Sequence, residues 1–231
     1  MGNKTAVRHL VDLLMTVVLV LLMAYFLTEQ EIHEWLGAGM LVLFIAHHIL
    51  NRKWLKALNR GKYTPFRVLQ TALVLLVLLC MLGSMLSGIW MSRYVFDFLP
   101  TQGHMGLART AHLLCAYWGF FLLSAHLGLH WGIILGVVRK AAGNRKPSAL
   151  RTAVLRVLTC GISAYGVFAF IKHQIADYLF LQSHFVFFDY EQPPALYFLD
   201  LLAMMGLCIA LSHYLGRAIS SSWGSSRPVD R

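Results

Sequence analysis

Six apolar runs separated by short polar or basic stretches divide the chain: Leu10–Leu27, Trp35–Leu50, Leu69–Trp90, Ala111–Val138, Val154–Ile171 and Leu196–Leu215. A hydrocarbon core about 30 Å thick takes about 20 apolar residues of helix to cross. The runs are of about that length, the second only if it borrows its flanks. The pattern predicts an all-α polytopic membrane protein of six transmembrane helices. Spans one to four (residues 1–138) are expected to form a four-helix bundle. The last two spans and the tail (139–231) would pack beside it as accessory helices in one integrated membrane domain.

Composition agrees with that pattern. Of 231 residues, 58% are hydrophobic and 13% charged, at a mean hydropathy of +0.63, whereas soluble domains carry roughly 45–50% apolar and about 25% charged residues. The four cysteines stand alone at Cys80, Cys115, Cys160 and Cys208. This spacing excludes a disulfide scaffold, a C-x-x-C redox or zinc motif and a C-x-x-C-H haem attachment.

A formal charge of +10 would suggest nucleic acid as the partner of a soluble chain; in a membrane chain its placement sets orientation instead, and no nucleic-acid partner is expected. Lys4 and Arg8 precede the first span, and Arg52, Lys53, Lys56, Arg60, Lys62 and Arg67 separate the second from the third. Arg139, Lys140, Arg145, Lys146, Arg151 and Arg156 separate the fourth from the fifth, and Arg217, Arg227 and Arg231 follow the sixth. Seventeen of the twenty basic residues thus fall on one side, leaving Arg93, Arg109 and Lys172 on the other with most of the acids. Both termini are placed in the cytoplasm. The first run ends in Phe26-Leu27-Thr28-Glu29 without a small-x-small cleavage site, so it reads as a permanent span and not a signal peptide. Ala6 stands where myristoylation of Gly2 wants Ser or Thr.

The chemistry lies in the histidines. Eleven His in so apolar a chain is a high count, and polar residues inside a membrane are expensive enough to be functional candidates by default. His33 and His47 are fourteen residues apart, as are His112 and His126. On a helix, fourteen steps return to within about 40° of the starting face and advance about 21 Å. The second and fourth spans are separated by one other, so they run parallel, which puts His33 level with His112 and His47 level with His126. Two facing imidazoles at two depths is the arrangement that would hold two haems, each iron with two axial His, since cofactor sites in bundles use side chains on facing helices. Gly37 lies about 40° from His33, and Gly119 about 20° from the His112 line. Both could make room for a flat macrocycle or serve ordinary helix packing.

His48 lies about 60° off the His33 line, and His130 is aligned with His112 but about 27 Å along. Depth therefore prefers His47 and His126, with His48 and His130 as alternatives. Arg109, about one turn from His112, suits either a haem propionate or the membrane surface. His9, His173, His184 and His213 read as interfacial or packing residues, and His104 stays open. Zinc is disfavoured because its structural ligands cluster at short spacings, and the Met and aromatic side chains read as packing.

The runs His33-Glu34-Trp35-Leu36-Gly37, His47-His48-Ile49-Leu50-Asn51-Arg52-Lys53-Trp54 and His126-Leu127-Gly128-Leu129-His130-Trp131 resemble the flavinylation-associated cytochrome family. The segment His184-Phe185-Val186-Phe187-Phe188-Asp189 is similar to that family's end. The resemblance implies a dihaem b-type cytochrome of a bacterial cytoplasmic membrane. Such a protein passes electrons from a membrane quinol or another donor towards an extracytoplasmic flavin-bearing redox protein, with no bond-breaking step beyond quinol oxidation. No G-x-G-x-x-G fingerprint is present, so any flavin is expected on the partner. Two other classes stay open. A His-lined proton or metal-ion transporter would want carboxylates in mid-membrane, whereas Asp12 and Asp200 lie near span ends; a membrane anchor subunit of a redox complex would not need four depth-matched His.

The charge asymmetry makes orientation testable. Reporters fused after Arg231 and within Lys56–Lys62 should both report the cytoplasm, and an extracytoplasmic signal from both would invert the topology and exchange the inner and outer sites.

Overall fold

The computed structural model describes residues 3–58, 60–99, 103–143 and 148–225. Of the basic residues used above to orient the chain, Arg145, Lys146, Arg227 and Arg231 lie outside these, as does Gly2. Among the described residues the fold is all helix: α1 Asn3–Met23, α2 Tyr25–Leu50, α3 Arg52–Ala57, α4 Pro65–Met91, α5 Met105–Leu129, α6 Trp131–Ala141, α7 Ala149–Lys172, α8 Ile175–Leu179 and α9 Pro194–Ser225. Six of these, α1, α2, α4, α5, α7 and α9, are long and apolar enough to cross a membrane. In hydrocarbon a helix satisfies its own backbone polar groups, so the apolar runs have this one economical conformation.

The boundaries follow local chemistry. Pro65 opens α4 at a position where its missing N–H costs nothing, and the Thr64 hydroxyl accepts the Arg67 N–H at 3.3 Å. Ser148 caps α7 in the same way by accepting from Arg151 N at 3.4 Å. The first apolar run breaks earlier than the sequence suggests. α1 stops at Met23, and the chain reverses through Ala24 and through Glu29, whose φ of 59° is a left-handed value inside α2. The fourth run is interrupted as well: α5 ends at Leu129, and His130 at φ −93°, ψ 1° separates it from α6. Gly128 and Gly132 flank that break, and each weakens a helix by about 1 kcal/mol relative to Ala. The predicted fourth span, Ala111–Val138, is thus corrected to Met105–Leu129 plus an eleven-residue helix.

α1 packs on α2, α4 on α5, α5 on α9, and α9 on α7, whereas α2 touches α4 only sparsely. The accessory pair is joined to the earlier spans through the α5–α9 contact. Small residues set the closeness of this contact and of α7 on α9. A Cβ at Gly128 would run into Ser212 Oγ and the Ile209 carbonyl, and one at Gly166 into the Ala203 carbonyl; glycine at such contacts lets helix backbones approach within a membrane. The buried core, with Phe120 and Met204 each 1% exposed and Tyr117 stacked on Tyr178 at 4.8 Å, lies where α5, α8 and α9 meet.

α7 and α9 are also clasped by a buried carboxylate. Asp200 is 0% exposed. It accepts from Tyr165 Oη at 2.6 Å, Lys172 Nζ at 2.9 Å, His173 Nε2 at 2.8 Å and Gln192 Nε2 at 2.9 Å. These hydrogen bonds satisfy both oxygens, which is what makes a buried charge tolerable. Asp200→Ala should strip four donors of their acceptor and cost about 3 kcal/mol, read as a lower unfolding midpoint in detergent; an unchanged midpoint would show that the cluster is a surface arrangement.

Candidate functional site

The outer of the two predicted levels is assembled in the structure. His33 from α2 and His112 from α5 face each other with ring centroids 6.1 Å apart and planes at 73°. His112 Nδ1 lies 2.9 Å from the Ser84 carbonyl and 3.2 Å from Ser87 Oγ, both on α4. A carbonyl only accepts, so Nδ1 carries the proton and Nε2 keeps the lone pair. Gly88 clears the space beside this imidazole, since a Cβ there would stand 3.4 Å from His112 Cε1. His33 Nδ1 is buried and has no hydrogen-bond partner among the described residues.

Glu34, next to His33, fastens the outer end of α2 to the turn that follows α4. Its carboxylate accepts from Ser92 Oγ at 2.7 Å, from the backbone N–H groups of Arg93, Tyr94 and Val95 at 3.0, 2.9 and 3.2 Å, and from Gln30 Nε2 at 2.9 Å. The turn offers those N–H groups because α4 has just ended at Met91. A carboxylate collecting successive backbone N–H groups is a strong, charge-assisted arrangement.

At the inner level His47 Nδ1 pairs with Asp12 Oδ1 of α1 at 2.8 Å. The carboxylate accepts the hydrogen bond of Nδ1–H, so Nε2 of His47 again keeps the lone pair. His126 Nδ1, like that of His33, is buried without a partner among the described residues. The Asp12, His47, His126 and His130 side chains lie close enough to interact electrostatically. His130 stands 4.8 Å from His126, ring to ring, with its Nε2 3.2 Å from Gln70 Nε2 of α4. The structure brings His33 and His112 into ring contact; among the described residues His47 has its ring contact with His48 instead, at 5.5 Å. His48 itself is turned onto its own helix, its Nδ1 bonded to the Phe44 carbonyl at 2.8 Å and its ring 4.2 Å from that of Phe44.

The other predicted positions divide. Gly37 fronts open space, with nothing within 4 Å of where its Cβ would be. Gly119 does not: it is buried against α4, a Cβ there standing 3.6 Å from that of Cys80. Of the two roles the sequence left open for it, this neighbour is the one that helix packing supplies. Arg109 is exposed and holds its guanidinium 5.3 Å above the Phe185 ring. His104 is an exposed residue at φ 54° in front of α5. His173, read from sequence as interfacial, belongs to the Asp200 cluster.

Sequence reasoning did not single out Asp12, Glu34, Ser84, Ser87 or Gln70. For Asp12 a signal was present, since a carboxylate near the end of a span on a helix hairpinned to α2 lies level with His47. For Ser84 and Ser87 there was none, because hydroxyls in membrane helices usually bond their own backbone. Among the described residues no group of three or more His, Cys, Asp or Glu is arranged to hold a metal ion. The chain matches no protein-family model, no curated protein and no solved structure.

The clasp on α2 gives a direct test. Glu34→Ala should lower stability by about 1.5–3 kcal/mol, the range for a hydrogen-bonded charge, seen as a lower unfolding midpoint, with Glu34→Gln recovering part of the loss. Equal midpoints for all three proteins would remove Glu34 from the support of His33.

Proposed function

We propose that the protein is a dihaem b-type cytochrome of a bacterial cytoplasmic membrane, in which His33 and His112 would hold one haem and His47 and His126 the other. One observation carries this reading. His33 and His112, from two different helices, face each other with ring centroids 6.1 Å apart, close enough that one metal centre could be held by a nitrogen of each. The unpartnered Nδ1 atoms of His33 and His126 and the open space at Gly37 fit the same group. When bound, such groups supply one-electron transfer across the bilayer, from a membrane quinol or another donor to a flavin-bearing redox protein outside.

The chain's own side chains do the positioning. Ser84 and Ser87 hold the His112 ring in one tautomer, and Asp12 does so for His47. A carboxylate on Nδ1 makes an imidazole a more basic ligand than a carbonyl does, so the inner pair contains the stronger donor. Glu34 fixes the end of α2 that carries His33. Arg109, exposed at the outer end of α5, suits a propionate there. The rival reading, a proton conductor, draws on the Asp12–His47 pair and requires no pigment.

A spectrum separates the two. The purified protein should give a reduced-minus-oxidised difference of b type and two haems per chain by pyridine haemochrome. His33→Ala and His112→Ala should abolish the same haem, and His47→Ala and His126→Ala the other, while His48→Ala and His130→Ala keep both. A colourless protein would overturn the proposal; loss in His48→Ala with retention in His47→Ala would reassign the inner ligand.

A further inference from the structure

At the end of the spans that carries most of the basic residues, a groove of about 590 Å³ opens between the start of α4, the junction of α5 with α6 and the last turns of α9. Phe66, Leu129 and Leu135 form apolar wall, and Arg139 of α6 and Arg217 of α9 stand at the rim with His213 and Ser220. No Asp or Glu lines it. Both arginines are exposed, and neither makes an ion pair or hydrogen bond with a described residue. The Ser220 and Ser221 hydroxyls of the lining already donate to the Gly216 and Ala218 carbonyls, which leaves the two guanidiniums as the charged groups of the rim.

The setting selects the ligand. α6 has eleven residues, about 16 Å of helix, too short to cross about 30 Å of hydrocarbon. It follows directly on the fourth span, so the groove lies at the level where the bilayer meets water. Two unneutralised guanidiniums call for a phosphate, to which Arg binds bidentately. The apolar wall beneath them calls for an amphiphile and not a free ion. A zwitterionic headgroup would bring an ammonium against two cations with no acid at hand. Basic pockets between membrane helices are suited to anionic headgroups for these reasons.

We propose that this groove seats the headgroup of an anionic phospholipid, its phosphate held by Arg139 and Arg217 and the upper part of an acyl chain lying along Phe66, Leu129 and Leu135. Because the groove joins α4, α6 and α9, a bound lipid ties the end of α9 to the α5–α6 break beside His130. The inference is independent of what the imidazoles bind.

The test uses the full chain, purified in detergent, stripped of lipid and titrated with phosphatidylglycerol, phosphatidylcholine or inorganic phosphate while the unfolding midpoint is followed. Phosphatidylglycerol should raise the midpoint saturably, and phosphatidylcholine and inorganic phosphate should not at the same concentration. Arg139→Gln and Arg217→Gln should each raise the half-saturating phosphatidylglycerol concentration about fivefold, and the double variant about 25-fold; Lys53→Gln, in a different loop, should leave it unchanged. An equal shift from phosphatidylcholine would show that headgroup charge is not read, and an equal shift from inorganic phosphate would make the ligand a free anion. Wild-type affinity in both Arg variants would place the lipid elsewhere. Each of these three outcomes overturns the proposal. The comparison of the two lipids on the wild-type chain stands even where a variant does not fold.

Discussion

A ring nitrogen carried into hydrocarbon has no water to bond, and leaving it unpartnered is costly. The centre of this protein is arranged around four such rings. His112 and His47 are answered from within, by α4 and by Asp12; His33 and His126 each keep a buried nitrogen that no described residue satisfies. At one depth an answered and an unanswered ring, His112 and His33, stand in contact; at the other, His47 has its ring contact with His48 and His126 with His130.

α5 is held rigidly by α4 on one side and α9 on another, with Gly128 permitting the closest approach. α2 is held differently, by its hairpin with α1 and by the Glu34 clasp on the turn after α4. The tightest apolar core lies on the α8 and α9 side of α5, away from His33 and His112. The polar clasp of Glu34 is therefore a main attachment between the end of α2 that carries His33 and the turn after α4, since α2 touches α4 only sparsely.

The two ends of the bundle use charge in opposite ways. At the outer end the carboxylates of Glu34 and Asp200 are saturated by donors from several elements and act as staples. At the other end Arg139 and Arg217 face a groove without an acid, as expected where guanidiniums meet anionic headgroups and not protein carboxylates. Stability is thus internal at one end and, on the reading proposed here, shared with the lipid at the other.

By itself the sequence determined the six spans, their alternating direction and the level of each histidine, because hydropathy, span number and the 3.6-residue period are properties of the chain read in order. That is why His33 and His112, seventy-nine residues apart, could be matched in depth before any contact was known. The period fixes the angle between residues on one helix; it does not say which neighbour a given face will meet. Only the tertiary structure turned Gly119 towards Cys80, set Asp12 on His47, wrapped the 92–95 turn around Glu34 and gathered Tyr165, Lys172, His173 and Gln192 onto Asp200. It also broke the fourth run at His130, where two glycines weaken the helix and packing against α9 decides the outcome. Most of these contacts join distant elements whose mutual rotation depends on every other packed pair, and no local pattern in the chain encodes that.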